Sequence, residues 1–408
     1  MFRLIDVPAP VGRPLQGYSD ALRANLRGYL VPVVVAYALA ECRRNAVQLW
    51  RRLTLRTHRT RLHHFLLGAT WPARDILHGY VRDVLMQMKP GPRETLYLIL
   101  DETRLAKRGK QVARADWYFD PVTRRKQRAQ LVLVATVWFR GFIFPWDFFV
   151  HAKRGTVPSA EFEKLTDAAA RMVREFVPPP AVRVVVLFDS YYLCKTVAGA
   201  VRERGWLYVS QAKENRNVFV ARRKSKAGRR AKRALRNGRG RKVRLGQHRY
   251  RFVQEDADMK GLGRVRLVYS RPIARRGKRK IFVSNDVSHS GETILWHYYR
   301  RWSIEVFIKE SKQTLGLGDC SSSRSDAAVT HLLLVGLAAA LLTHRDVRAR
   351  GAQGKKAQGD LFARSSLRTL QETLRQEVIA YHLHRILAAP TSRKAKQILR
   401  SWTELEVA

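Results

Sequence analysis

Short apolar runs divide the middle of the chain into predicted strands. Five runs rich in β-branched and aromatic residues read TLYLILDE, QLVLVATVWFRG, FIFPWDFFV, VRVVVLFDS and WLYVSQ. Nearly uninterrupted apolar runs of this length are typical of central strands covered on both faces. Two helices are predicted between them, one beginning at Ser159 as its N-cap and one running from Tyr192 to a stop at Gly205. This order predicts an α/β unit with a mixed sheet.

The pattern changes on either side of this unit. Residues 1–92 have helical periodicity, and we expect a helical domain there. Residues 214–283 combine strand-like pieces with a densely cationic stretch, which predicts a β-rich insertion bearing a mobile basic loop. The α/β unit is expected to occupy residues 93–213 and to resume over 284–347. Residues 348–408 are expected to form a C-terminal helical region.

The charge of the chain indicates its partner. Lys and Arg number 78 against 33 Asp and Glu, which gives a formal net charge of +45 at pH 7 and a pI near 11.2. A folded chain with this charge repels itself unless a polyanion is present. We therefore expect nucleic acid as the partner. An anionic membrane surface is the alternative, but the cations run throughout the chain and do not form one amphipathic helix.

The scattered cysteines and the shortness of the apolar stretches favour a cytoplasmic protein. Cys42, Cys194 and Cys320 are scattered, without a CxxC pair or zinc-finger spacing, so neither a disulfide framework nor a structural zinc site is expected. The apolar stretches from Val31 and Leu332 are about ten residues long, whereas a membrane span needs about twenty. Both predict core helices, and the N-terminus lacks the order of a secretory signal.

Two predicted strands end in an aspartate. Asp101 closes TLYLILD and Asp189 closes VRVVVLFD. In open α/β sheets, sites form at the carboxyl edge of the strands. If the two strands are neighbours, their carboxylates lie close together, and one pKa rises unless a cation neutralises them. Mg²⁺ prefers such oxygen ligands, and a pair of ions supports phosphodiester chemistry, so the strand ends predict a magnesium site.

A third candidate acid, Glu305, lies in YYRRWSIEVFIKESK, residues 298–312. An α-helix advances about 100° per residue, so four residues of this segment project within roughly 60° of one another. They are Tyr298, Arg301, Glu305 and Lys312. On a helix packed against the sheet, Glu305 would complete the metal site. The neighbouring residues expected to contact DNA phosphates are Tyr298, Arg300, Arg301, Lys309 and Lys312.

Each acid also has a purely structural interpretation. A strand-ending aspartate is more often a turn or helix cap, and Glu305 could simply pair with Arg301 or Lys309 on an exposed helix face. Other acids compete for the role, namely Glu102, Asp286, Glu292 and Glu310. The combination favours the metal site, because two equivalent strand ends and one polar helix face occur in a chain that demands a polyanion.

The spacing Tyr298-x₂-Arg301-x₃-Glu305-x₆-Lys312 resembles the Y-R-E-K signature of a large group of bacterial insertion-sequence DDE transposases. DETRLAKRGK from Asp101 and DSYYLCK from Asp189 resemble the first and second blocks of that family. The resemblance covers about residues 60–345. It implies an α/β fold with an RNase H-like catalytic core and a β-rich insertion, flanked by helical N- and C-terminal regions.

The same resemblance implies an activity. Asp101, Asp189 and Glu305 would hold two Mg²⁺ ions, with Mn²⁺ as a possible substitute. The enzyme would cut double-stranded DNA at terminal inverted repeats and join the 3′-hydroxyl ends to target DNA, as a homodimer on DNA in the bacterial cytoplasm, at the nucleoid. Some members form a hairpin with a tryptophan stacked on a flipped base, but the insertion here contains no Trp. Trp206, Trp296 and Trp302 lie outside it.

Several further interpretations remain open. The basic loop would track a DNA backbone or serve as a disordered solubilising loop; its candidate DNA-binding residues are Arg222, Arg223, Lys224, Arg229, Arg230, Lys232 and Arg233. The basic helices of residues 43–61 are candidates for recognising the terminal repeats. The apolar stripe from Leu367 to Tyr381 favours a core contact over a dimer seam. An RNase H-like nuclease without strand transfer and a non-catalytic DNA-binding protein are the alternative functions.

Overall fold

The computed structural model describes residues 4, 6–41, 43–53, 59–68, 70–120, 123–238, 240–274, 277–351 and 365–403. Cys42 lies outside them, as do residues 54–58 of the predicted repeat-binding segment. Cys194 and Cys320 are free thiols.

Among the residues that the structure describes, five helices precede the first strand: α1 (Ala9–Asp20), α2 (Ala24–Leu39), α3 (Ala46–Arg52), α4 (Arg59–Leu67) and α5 (Ala73–Gln87). Helix α2 contains the apolar stretch from Val31 and is buried along nearly its whole length. A helix that is apolar on all sides requires such surroundings. Asn45 caps α3, because its side chain accepts a hydrogen bond from the backbone N–H of Gln48.

Twelve strands in the described part of the chain form one mixed sheet. They are β1 (Thr95–Ala106), β2 (Ala115–Asp120), β3 (Arg125–Phe139), β4 (Phe142–His151), β5 (Arg183–Phe188), β6 (Leu207–Ala212), β7 (Asn217–Val220), β8 (Arg223–Lys226), β9 (Arg241–Leu245), β10 (His248–Met259), β11 (Gly263–Pro272) and β12 (Lys280–Ser284). The remaining helices are α6 (Leu165–Glu175), α7 (Lys195–Glu203), α8 (Ala227–Ala234), α9 (Gly291–Tyr299), α10 (Trp302–Thr314), α11 (Ser325–Arg350), α12 (Leu367–Leu387) and α13 (Ser392–Thr403).

The sheet order is β2-β3-β1-β5-β6-β12-β11-β10-β7-β8, with β4 also paired to β3 and β9 to β10. Strand β1 runs parallel to β5, and β5 runs parallel to β6. Strand β3 is antiparallel to β1 and carries two partners on its other edge, β2 along its first part and β4 along its second. The strands of the insertion continue the same sheet, because β12 pairs with β6.

Helix α11 is the central helix of the fold and packs against β4, α2 and α5. Of the described helices, it is the one long and apolar enough to cross a membrane by length and composition, but 89% of its most apolar window is buried inside the protein. It is therefore placed as a core helix. The stripe of α12 also meets the core, through Leu367, Leu374 and Val378.

Two predicted boundaries are wrong. Strand β1 continues five residues beyond Asp101, because Thr103 and Leu105 are buried and the ladder to β3 extends to Ala106. The helix predicted from Ser159 begins only at Leu165, after a 3₁₀ turn at Ser159–Glu161.

The segment predicted as a basic loop contains regular secondary structure in its described residues. It forms the β7–β8 hairpin and α8, which turns Ala227 and Ala231 inward and its cations outward. The hairpin turn places Ala221 and Arg222 at positive φ, 48° and 64°. Two-residue hairpin turns need this conformation, which is costly for side chains other than Gly, Asn or Asp.

Candidate active site

The two aspartates lie on adjacent parallel strands. The β1–β5 register pairs Leu98 with Val186 and Ile99 with Leu187. Carried two residues further, the same register brings Asp101 level with Asp189, one residue past the end of β5. Neighbouring strands lie about 4.8 Å apart, so the two residues are brought together as the strand pattern predicts.

Asp189 also has the local role that its position suggests. One carboxylate oxygen accepts the backbone N–H of Tyr191 at 2.8 Å, which stabilises the turn after β5. The Ser210 hydroxyl donates to the backbone carbonyl of Asp189 at 3.0 Å, which ties the turn to β6. The turn and the predicted ligand role are compatible, because a carboxylate has several acceptor positions.

Glu305 is carried by a helix that differs from the predicted one. Residues 298–312 form two helices, because α9 ends at Tyr299 and α10 begins at Trp302. At the joint, the N–H groups of Arg301 and Ile304 bond to carbonyls three residues earlier, at 3.0 and 3.2 Å. This 3₁₀-like tightening aligns side chains three residues apart. Accordingly, the Arg301 guanidinium lies 5.4 Å from the Tyr298 ring centroid.

Arg301 connects two of the three predicted acids. Its guanidinium donates to Asp101 Oδ2 at 2.7 Å and also to Glu305 Oε1. The Arg301 and Asp101 side chains are largely buried, with 15% and 17% exposed, and that of Glu305 is 34% exposed. The i,i+4 partner of Glu305 was visible in the sequence, but the bond to Asp101 spans 200 residues and was not.

The charge balance at Asp101 shows that the acids converge. Burial raises the pKa of Asp101 to about 7; Arg301 lowers it, and Glu102, Asp189 and Glu305 raise it. Burial is the largest cause of the rise, and the three neighbouring carboxylates add to it. A bound cation would offset both effects.

Glu102 is a fourth acid at the site. It accepts a hydrogen bond from the Tyr192 hydroxyl at 2.7 Å, and Tyr192 is fully buried. Burial raises the pKa of Glu102, and the bond from Tyr192 lowers it. Asp189 also raises it, which places Glu102 within the electrostatic reach of the site. The sequence marked Glu102 as a competing acid but gave no sign of Tyr192 as its partner.

Of the remaining competing acids, Asp286 and Glu310 accept hydrogen bonds from residues outside the site. Asp286 accepts bonds from the backbone N–H and the hydroxyl of Ser288, at 2.7 and 2.6 Å. Glu310 accepts the N–H of Leu367 at 3.3 Å. Glu292 lies in the first turn of α9, where Ser290 and not Glu292 supplies the cap.

The acids open into a cavity of about 390 Å³ whose wall is partly basic. Asp101, Glu102 and Glu305 line it together with Lys309 and Lys312. Lys309 is exposed. Lys312 donates to the carbonyl of Arg104 at 2.9 Å, and burial lowers its pKa. An anionic strand entering this cavity would meet ammonium groups before it reached the carboxylates.

Tyr298 and Arg300, two of the predicted DNA contacts, pack against other side chains of the protein. Burial raises the pKa of Tyr298 to about 12, and its ring packs against Phe282. Arg300 turns inward, with its guanidinium 4.9 and 5.0 Å from the rings of Tyr97 and Trp138 and donating to the carbonyl of Trp296. Arg300 is therefore a packing residue in this arrangement and not a surface cation.

The insertion presents most of its predicted cations to solvent. The exposed ones are Arg222, Arg223, Lys224, Arg229, Lys232 and Arg233. Arg230 is the exception, because it pairs with Glu255 through bonds of 2.6 and 2.5 Å. That pair joins α8 to β10.

The donor chemistry of the site fits magnesium. In the part of the chain that the structure describes, no three His, Cys, Asp or Glu side chains stand together as a ready metal site. Arg301 lies between Asp101 and Glu305 at the candidate site. The oxygen donors themselves are those that Mg²⁺ prefers, and Asp189 and Glu305 both act on the charge of the buried Asp101 carboxyl. Asp101, Asp189 and Glu305 would hold the ion once Arg301 moves aside.

Comparison with known proteins agrees with this chemistry. Residues 158–342 match the family model described as the transposase DDE domain. The matched segment is just under half of the chain; it contains Asp189 and Glu305 and begins after Asp101. No curated protein matches the chain. The family match supports a DDE transposase, a kind of metal-dependent enzyme that binds and cuts DNA.

Proposed function

We propose that this chain, whose middle part matches the transposase DDE domain, is the transposase of an insertion sequence. It cuts DNA at the terminal inverted repeats and joins the exposed 3′-hydroxyl ends to target DNA. The observation that carries the proposal is the convergence of Asp189 and Glu305 on the buried carboxyl of Asp101, with Arg301 between two of them.

The strand order supports an RNase H-like catalytic core. Strands β4-β3-β1-β5-β6 follow one another in the sheet, with β3 antiparallel to β1 and the last three parallel. We assign residues 93–213 and 284–347 to this core and residues 214–283 to its insertion. Residues 1–92 and 348–408 are the flanking helical regions, and the first of these is the proposed reader of the terminal repeats.

The residues of the site divide the work of phosphoryl transfer. Asp101, Asp189 and Glu305 are the proposed ligands; when bound, Mg²⁺ would activate the attacking oxygen and stabilise the leaving one. Asp101 must lose its proton to bind a cation, so binding of the ion and ionisation of this buried carboxyl are coupled. Arg301 neutralises Asp101 and Glu305 before the ion arrives and, once released, is free to turn toward a phosphate.

The cations around the cavity position the DNA. Lys309 and Lys312 line the wall beside the acids, and the exposed arginines and lysines of α8 and the β7–β8 hairpin extend the basic surface. Trp302 is 54% exposed and lines a second cavity together with Glu305. It is the proposed site for stacking on a flipped base if a hairpin forms. We further propose action as a dimer on DNA in the bacterial cytoplasm.

A matched pair of variants tests the proposal. Glu305→Gln should abolish Mg²⁺-dependent cleavage and strand transfer and leave DNA affinity nearly unchanged, because it removes a ligand charge without changing side-chain size. Glu310→Gln, on the same helix, should keep both activities. Cleavage by the Glu305 variant at the wild-type rate would overturn the ligand assignment.

A strand-transfer assay distinguishes a transposase from the main alternative, an RNase H-like nuclease without strand transfer. Donor duplexes carrying one end of the element are incubated with a plasmid target and Mg²⁺. Joined products support a transposase, whereas cutting without joining would favour an RNase H-like nuclease. Binding of DNA with neither reaction would favour a non-catalytic DNA-binding protein.

A further inference from the structure

An exposed aromatic ribbon projects from the edge of the sheet. It consists of β2 and the first four residues of β3, 125–128, which pair in antiparallel register. Trp117 lies opposite Arg128, and Phe119 lies opposite Lys126. Directly opposed residues point to the same face of a sheet, so both aromatic rings and both cations share one face of the ribbon.

The two rings are unusually exposed for this protein. Trp117 and Phe119 are each 57% exposed, and among the described strands they are the exposed large hydrophobic side chains. Exposed apolar side chains on an edge strand promote unwanted pairing, and proteins usually avoid them unless they serve a binding function. The sheet interior gains nothing from these two rings.

The ribbon is held in place from its other face. The Lys153 ammonium lies 4.8 Å from the Tyr118 ring centroid, donates to the carbonyl of Trp117 at 2.7 Å and pairs with Asp116 at 3.1 Å. On the ring face, Arg128 donates to the carbonyls of Lys110 and Ala115 at 2.6 and 3.3 Å, which braces the preceding loop against the ribbon. The aromatic face is therefore presented on a fixed support.

The charge around the rings selects an anionic partner. Lys126 is exposed on the same face as the rings, and Arg124 is exposed in the turn that joins the two strands. The nearby acids are already engaged, Asp116 by Lys153 and Asp120 by the hydroxyl of Thr123 at 2.8 Å. A second copy of the chain would bring an equally basic ribbon against this one, in a protein that already carries +45. Charge complementarity favours DNA over such a copy.

The ribbon lies on the same side of the sheet as the catalytic candidate. Asp101 pairs with Val134 of β3, and Trp117 pairs with Arg128 of the same strand. Six residues separate these two β3 positions, an even number, so Asp101 and Trp117 point to the same face. At about 3.3 Å per residue, the separation along the strands is about 20 Å. This corresponds to about six base pairs of B-DNA, at about 3.4 Å each.

We propose that the aromatic ribbon is a DNA contact that enters a groove of the duplex about six base pairs from the position cut at Asp101. A two-stranded β-ribbon fits the major groove of B-DNA. Trp117 and Phe119 pack on the bases and sugars, and Arg124 in the turn and Lys126 on the ring face neutralise phosphates. This inference rests on the proposed function, whose site it extends to a second DNA-contacting surface.

Binding in EDTA tests the ribbon separately from catalysis. The probe is a fluorescent duplex of arbitrary sequence and about 30 base pairs, roughly three turns, titrated with the full-length protein over a range of salt. Trp117→Ala with Phe119→Ala should weaken binding at least about tenfold, as loss of an aromatic anchor does at other interfaces. Leu387→Ala, at an 85% exposed position of α12, is the matched control and should bind normally.

The cations give an independent readout. Arg124→Ala with Lys126→Ala should reduce the slope of log affinity against log salt by about 2, close to the value for two released counterions. The aromatic double variant should leave that slope unchanged. Both variants alter exposed side chains, so an unchanged melting temperature shows that each is folded.

Three results would overturn the inference. Wild-type duplex affinity in both double variants would remove the ribbon from the DNA interface. A loss confined to a single-stranded probe of the same length would contradict groove binding. If the aromatic double variant sedimented differently from the wild type in the absence of DNA, the face would be a contact between copies of the chain. None of these results bears on Glu305, because binding in EDTA requires no cleavage.

Discussion

Asp101→Asn should stabilise the metal-free protein at neutral and alkaline pH, although it removes a proposed catalytic group. The folded protein holds a proton on Asp101 up to a pKa of about 7, whereas the unfolded chain releases it near 3.8. Between these values the folded state binds more protons, so this group makes stability fall as the pH rises. Asparagine has nearly the same shape as the protonated carboxyl, and it does not ionise.

The size of the stabilisation by Asp101→Asn follows from the difference between the folded and unfolded pKa of Asp101. A change from 3.8 to about 7 is roughly three pKa units, worth about 4 kcal/mol at 1.36 kcal/mol per unit, as an upper limit above about pH 8. Below about pH 4 the difference should vanish. For 408 residues the entropy of unfolding corresponds to about 1 °C per kcal/mol, so the melting temperature should rise by up to about 4 °C.

The assay is thermal unfolding in EDTA, for the wild type and the variant, at several pH values. Asp256→Asn is the control of opposite sign, because the hydrogen bond from Arg266 lowers the pKa of Asp256. It contributes stability above its unfolded pKa, which is lost as the pH falls through its folded value, so Asp256→Asn should destabilise at neutral pH. A difference between Asp101→Asn and wild type that stays constant over the whole range would refute the reasoning.

Three further outcomes are expected. Arg301→Ala should raise the pKa of Asp101 further, since Arg301 lowers it, and in EDTA the fall of the melting temperature with rising pH should extend to higher pH than in the wild type. Tyr192→Phe should cost about 1–2 kcal/mol of stability, measured by denaturant unfolding, because it leaves Glu102 without a buried hydrogen bond. Gly28→Ala, in α2 with open space at its Cβ, should gain up to about 1 kcal/mol in that assay, whereas Gly336→Ala in α11 should lose stability because its Cβ would lie 3.0 Å from packed side chains.

Much of the central sheet was predictable because its strands are buried on both faces. The runs that form β3, β4 and β5 are almost wholly apolar, and no solvent-facing side chain interrupts them. Strand β2 was missed for the opposite reason: Trp117 and Phe119 face solvent, so the strand has no buried stripe to reveal it. The pattern of apolar positions predicts buried strands, and it does not reveal a strand whose apolar side chains face solvent.

The sequence identified candidate acids for the site, but it did not show how these acids are arranged or which residues they contact. Strand ends and helix spacing are local features, and they pointed to Asp101, Asp189 and Glu305. The bond from Arg301 to Asp101 and that from Tyr192 to Glu102 join residues 200 and 90 positions apart, and only the folded chain brings them together. The tightened joint between α9 and α10 was likewise hidden, because its residues have no proline or glycine to mark it.

The aromatic ribbon and the cationic β7–β8 hairpin lie at opposite ends of the same sheet. Ten strands lie on the path from β2 to β8, which at about 4.8 Å per step measures about 40 Å along the sheet. Neighbouring strands are rotated by roughly 20–25° relative to each other, so nine steps turn one end of the sheet by about half a revolution from the other. A straight duplex lying against the ribbon would therefore not reach the hairpin, and the two basic surfaces would contact different segments of DNA.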